Sequence, residues 1–231
     1  MYTFLTVLIK WSEVWPLAVA LTILFFFTQK GEHTSIIIWL IIITLIFHTA
    51  ATIISLYTYK IPEQFKNNNI LYNLIAFIKP LLVGLYILKL KQLKTLTYLR
   101  IVYVVFILFT IVNFTFLENI FTYSTHMVIA ESIVLLIFTM TFFLNSMIDD
   151  EIPLPLNHPA YFLCTATGIF ESINFFIYLF IFPVFYTNQD FADLLMNISG
   201  VAFIIYGLIL AAGLFYNRHE FRFKKAVLQN E

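Results

Sequence analysis

Residues 35–58 read SIIIWLIIITLIFHTAATIISLYT, a continuous apolar run without a single Asp, Glu, Lys or Arg. A helix that crosses a membrane needs roughly 20 predominantly apolar residues to span a hydrocarbon core of about 30 Å, and this run meets that length by itself. Similar runs recur on the C-terminal side almost to the end of the chain, and a weaker one precedes it. The expected spans are approximately 12–28, 35–58, 69–90, 97–120, 124–147, 159–182 and 191–216. Polar breaks separate them: Gln29-Lys30-Gly31-Glu32, Lys60-Ile61-Pro62-Glu63 through Asn69, Lys89 to Lys94, Glu118 to Ser124, Asp149-Asp150-Glu151 with Pro153, Pro155 and Pro159, and Thr187 to Asp190. The first span is short and carries Glu13 and Pro16 near its start. The fold expected is all-α, a polytopic membrane protein built as one bundle of seven transmembrane helices, with residues 217–231 as a short basic cytoplasmic tail.

Composition points the same way. The chain is 61% hydrophobic and 11% charged, where soluble domains run near 45–50% apolar and about 25% charged. Thirteen basic residues balance thirteen acidic ones, so no charge excess suggests a nucleic-acid partner. Cys164 is the only cysteine, which excludes an intrachain disulfide and a cysteine-rich metal site. Met1 to Lys10 lacks the basic start and small-residue cleavage site of a secretory signal and reads as a retained, interfacial lead-in.

Lys and Arg set orientation. With the N-terminus outside and the C-terminus inside, Lys30, Lys89, Lys91, Lys94, Arg100, Arg218, Arg222, Lys224 and Lys225 are cytoplasmic, and Lys10, Lys60 and Lys66 are outside. Trp11 and Trp15 then fall in the outer aromatic belt, and Tyr98, Tyr103 and Tyr216 in the inner one. The loops are too short for an attached soluble domain, so any signal would pass to a separate cytoplasmic or membrane partner.

Ionisable residues inside a span cost about 2.5–3.5 kcal/mol each on insertion scales and are candidate functional groups. Four lie centrally: His48, Lys79, Glu131 and Glu171. A rise of about 1.5 Å per residue places His48, Lys79 and Glu171 roughly 15 Å below the outer surface, and Glu131 nearer 10 Å. Each of the first and last sits on a polar stripe: Thr44, Thr52 and Ser55 share a face with His48, and Thr167, Gly168, Asn174 and Tyr178 share one with Glu171. Tyr103, Thr110 and Asn113 align on the fourth span, and Asn197, Gly200, Gly207 and Ala211 on the seventh. Such stripes face a bundle interior or a wet cavity. The plainer reading is that they hydrogen-bond between helices and that Lys79 and Glu171 form a buried pair with no other role. Pro80, next to Lys79, frees the carbonyl of Ala76 and weighs toward a binding site. The expected ligand-binding set is His48, Lys79, Asn113, Glu131, Glu171 and Asn174, lining a cavity in the outer half of the bilayer with Glu131 and Asn113 nearer its mouth.

Several chemistries have no residues to carry them. The last span has no lysine for a retinal Schiff base. His48, His126, His158 and His219 fall at scattered depths with no paired-histidine motif for zinc, and neither a Gly-rich phosphate loop nor a nucleophile elbow occurs. No enzyme activity, cofactor or metal is expected.

Trp15-Pro16-Leu17, Asn69-Ile-Leu-Tyr-Asn-Leu-Ile, Pro159-Ala-Tyr-Phe-Leu-Cys followed by Gly168, and Asn197-Ile198 resemble motifs of a family of small, stand-alone seven-helix bacterial membrane proteins of uncharacterised activity. The resemblance covers most of the chain and implies seven helices, with Lys79 where relatives tend to carry an acid. The functional expectation is a receptor-like membrane module that senses a small molecule or lipid. The alternative is a small-solute or ion transporter that uses the midplane Lys/Glu/His site.

Overall fold

A computed structural model of the chain describes residues 4–27, 34–61, 67–90, 96–148, 158–185 and 187–228. The expected breaks at Lys30, Lys66, Lys91, Lys94 and the Asp149-Asp150-Glu151 run lie outside the described residues. The elements are α1 (Phe4–Lys10), α2 (Trp15–Phe27), α3 (Thr34–Leu56), α4 (Asn69–Lys89), α5 (Leu96–Val112), α6 (Thr125–Ile148), α7 (Pro159–Phe185) and α8 (Gln189–Leu228), with no strand among the described residues. Among the described residues, six stretches are long and apolar enough to cross a membrane: Ser35–Leu56, Asn69–Lys89, Thr97–Leu117, Thr125–Met147, Pro159–Ile181 and Gln189–Tyr216. Together they make this a multi-pass helical membrane protein.

The first expected span is shorter than its apolar run. Residues 11–14 form a turn, closed by the Ser12 N–H donating to the Ile9 carbonyl at 3.1 Å and the Val14 N–H to that of Trp11 at 2.9 Å. Helix α2 restarts only at Trp15 and has 13 residues, a length of about 20 Å. Pro16 fits there because the first turn of a helix leaves its N–H groups without partners in any case.

Close approach sets the packing. Helix α8 lies between α2 and α7, α7 also contacts α6, and α4 packs between α3 and α6. Gly200 faces Ser12 and Gly207 faces Pro16, so α2 and α8 run in the same direction. A Cβ on Gly207 would stand 2.4 Å from Pro16 Cβ, and one on Gly213 would stand 2.3 Å from Phe162 Cβ. In hydrocarbon such small-residue seams are where backbones gain dispersion contacts. Helix α5 is peripheral: 22% of its apolar stretch is buried, against 44–50% for the other five.

Helix α5 ends in a single π turn, Asn113–Leu117, in which the Glu118 N–H donates to the Asn113 carbonyl at 2.8 Å. The last helix continues to Leu228, through most of the expected tail.

Candidate functional site

Among the described residues, two groups of buried polar side chains stand out. At the centre, α4 brings Lys79 against α6 and α7. The Lys79 ammonium donates to Glu171 Oε1 and lies 3.2 Å from Glu131 Oε1. The other oxygen of Glu171 accepts from the Ser132 hydroxyl at 2.7 Å. Lys79 Nζ also sits 4.5 Å from the centroid of Phe170 and 5.7 Å from that of Tyr206, so aromatic faces share the positive charge. All three ionisable groups are buried, Lys79 at 4%, Glu131 at 7% and Glu171 at 1% exposure.

Beside this triad stands a second one. The turn before α2 delivers Glu13, whose Oε2 is 2.8 Å from His48 Nδ1 on α3 and accepts from the Tyr72 hydroxyl of α4 at 3.2 Å. The His48 ring meets Phe203 edge-on at 4.9 Å. Both triads open on one cavity of about 50 Å³, whose lining includes Glu13, His48, Tyr72, Lys79, Tyr123, Glu131, Glu171 and Tyr178. The space holds roughly three to five waters. Its lining comes from the late part of α3, the early parts of α4, α6 and α8, and the late part of α7. It therefore lies toward the end of the bundle where α3 finishes and α4 begins.

Four of the six expected site residues line this space: His48, Lys79, Glu131 and Glu171. Glu131 differs from its expected place near the mouth, since it touches Lys79 directly. Asn113 and Asn174 are buried but do not line the cavity. Asn174 donates to the Phe170 carbonyl at 3.0 Å and accepts from Ser199 at 2.6 Å, holding α7 to α8.

Asn113 belongs to the second polar group, at the α5–α6 connection. Its amide donates to Ser124 Oγ at 3.1 Å and to Glu118 Oε2 at 3.2 Å, and the Ser124 hydroxyl donates to the same carboxylate. Asn73 of α4 ties this connection down, donating to the carbonyls of Ile120 and Thr122 and accepting from the Ser124 N–H at 3.1 Å. His126 completes it, with Nδ1 2.9 Å from Glu118 Oε1. Burial of Glu118 opposes its charge. The Ser124 and Asn113 hydrogen bonds, the His126 N–H and the His126 ring outweigh burial and hold the carboxyl below the usual carboxylate range. This group is a clasp on the loop.

Sequence reasoning missed Glu13, which it noted only as lying near the start of the first span, and it had no way to place Tyr72 and Tyr123 at the same cavity. On α8, Asn197 is exposed while Gly200 packs on Ser12 and Ala211 is buried, so the expected stripe is broken. Among the described residues no group of three or more His, Cys, Asp or Glu is arranged to hold a metal ion. No protein family, curated protein or solved structure matches the chain.

Proposed function

We propose that this chain is a receptor-like membrane module that binds a small polar ligand in the Lys79–Glu131–Glu171 cavity and transmits the change to a separate partner. One observation carries the reading: a buried lysine shared by two carboxylates faces open space that also holds Glu13 and His48. A pair that merely fastened helices would need neither the three further ionisable groups nor the space beside them. Ligand pockets for drug-sized molecules run to about 300–1,000 Å³, and a cavity of about 50 Å³ favours a small solute over a lipid.

The topology proposed with it is seven crossings in a plasma membrane of the bacterial inner-membrane type, N-terminus outside. The parallel course of α2 and α8 supports a crossing by α2. Nine basic residues against three support the orientation. Lys60, 6.0 and 5.5 Å from the Tyr57 and Tyr59 ring centroids, marks a boundary of the interfacial kind near the α3 end. The motifs around Trp15, Asn69, Pro159 and Asn197 that resemble small seven-helix bacterial membrane proteins fit this count. No catalysis is proposed.

The second reading, a small-solute or ion transporter, is favoured by the depth of the Lys79 cluster and by Pro80 beside it in α4. Two measurements separate the readings. A pull-down in mild detergent, with mass spectrometry of bound proteins and lipids, should recover a partner if the chain is a receptor. Liposomes containing the chain alone should show solute flux if it is a transporter. Lys79→Met and Glu171→Gln, singly and combined, are expected to abolish whichever behaviour the parent shows. Three folded variants equal to the parent in both assays would remove the functional role of the cavity.

A further inference from the structure

Building on that reading of the cavity, we infer that its ligand is a small monovalent cation, held by Glu131 with the phenolic oxygens around it. Charge and hydrogen bonding lead there independently. Both oxygens of Glu171 are engaged, one by Lys79 and one by Ser132. Glu13 has His48 and Tyr72. Glu131 is only 7% exposed, and its Oε1 stands 3.2 Å from the Lys79 ammonium that Glu171 also holds. Its side chain lines the cavity. One ammonium balances one carboxylate, so with Glu171 paired to Lys79 the centre is short by one positive charge. Burying an uncompensated carboxylate is strongly unfavourable, and an ion in the adjoining space removes the deficit.

The surroundings select the class of ion. Glu131 supplies a carboxylate, and three phenols, Tyr72, Tyr123 and Tyr178, line the same cavity. Tyr178 lines the cavity together with Glu13, Glu131 and Glu171. Oxygen donors suit hard cations such as sodium or potassium, and aromatic faces also accept ammonium. A divalent ion is disfavoured because the Lys79 ammonium already stands 3.2 Å from the same carboxylate. The cavity of about 50 Å³ takes a small ion with a few waters and excludes bulky organic cations.

The test is thermal unfolding of the purified full chain at pH 8, in choline chloride of fixed ionic strength, with sodium, potassium or ammonium replacing choline. At least one of the three is expected to raise the unfolding midpoint saturably by a few degrees. Glu131→Gln should be more stable than the parent in choline and lose the response. Tyr178→Phe should keep the parent midpoint in choline and bind the ion about tenfold more weakly, as loss of one ligand to a charge implies. If Glu131→Gln does not fold, Tyr178→Phe decides the matter. Equal midpoints in every salt overturn the inference. A Glu131-dependent proton uptake in place of a salt response shows that a proton fills the role, which also overturns it. A neutral solute that stabilises the chain when no cation does refutes the ion but leaves the cavity a binding site. Failure of every ligand removes the proposed function as well.

Discussion

Lys79 joins three helices, from α4 to Glu131 on α6 and Glu171 on α7. Removing one partner of a buried ionic group leaves the others uncompensated, typically at about 3–5 kcal/mol. Lys79→Met is expected to destabilise the folded chain by that order, and adding Glu131→Gln and Glu171→Gln should restore much of the loss. Unfolding midpoints across the cycle check this; a triple variant as unstable as Lys79→Met would show that packing against Phe170, not charge, is what the lysine supplies. The Lys79–Glu171 contact was legible in the sequence because charged residues in apolar runs cannot be left facing lipid, and helical rise gave both the same depth. Glu13 was not legible, because its partners His48 and Tyr72 lie 35 and 59 residues away and a turn, not a helix, aims it. Asn113 lies away from the cavity because the π turn that ends α5 commits its side chain to Ser124 and Glu118.

At the scale of elements, length and hydropathy sufficed for α3 to α8, since a run that must satisfy its own backbone in hydrocarbon has few options but a helix. For α2 they set the start too early, at 12 where the helix begins at Trp15, because Pro16 is as compatible with a helix start as with a span already under way. The stripe on α8 shows a limit of periodicity: at about 100° per residue, Asn197 stands about 60° round the helix from Gly200, whereas Gly207 and Ala211 stay within about 20° of it. Only the latter three face neighbours. The seam they form is intolerant of bulk. Gly207→Val is expected to cost about 1–3 kcal/mol as an overpacked contact, because its Cβ would meet Pro16 backbone atoms at 3.1 and 3.2 Å that cannot rotate away. Gly168→Ala, with only Thr139 near at 3.6 Å, should be nearly neutral. Thermal unfolding of the two variants side by side measures the contrast, and a mild Gly207→Val would mean that α2 can shift on α8.

For the whole molecule, the topology proposed above predicts that a cysteine at Asn68 reacts with an impermeant reagent from outside, and that a reporter fused after Tyr216 is cytoplasmic. Outside labelling of the 91–94 segment would reverse the orientation and move the cavity to the inner half of the membrane. The cavity residues themselves span the chain from Glu13 to Phe203, so no fragment contains the site, and only helices already packed reveal it. That dispersion has a consequence for biogenesis. A ribosome emits Lys79 well before either carboxylate, and Glu171 follows it by 92 residues, roughly 5–20 s at bacterial or eukaryotic elongation rates. Early in that delay α4 carries the ammonium without either of its contacting carboxylates, and of those two Glu131 on α6 is made first. Glu131 still stands 3.2 Å from Lys79 once Glu171 is in place. In nascent chains halted before α7, Glu131→Gln is expected to lower the fraction resistant to alkaline extraction from membranes; full-length Glu171→Gln chains should insert normally. Equal extraction of halted parent and Glu131→Gln chains would show that the translocon, not Glu131, shelters the lysine.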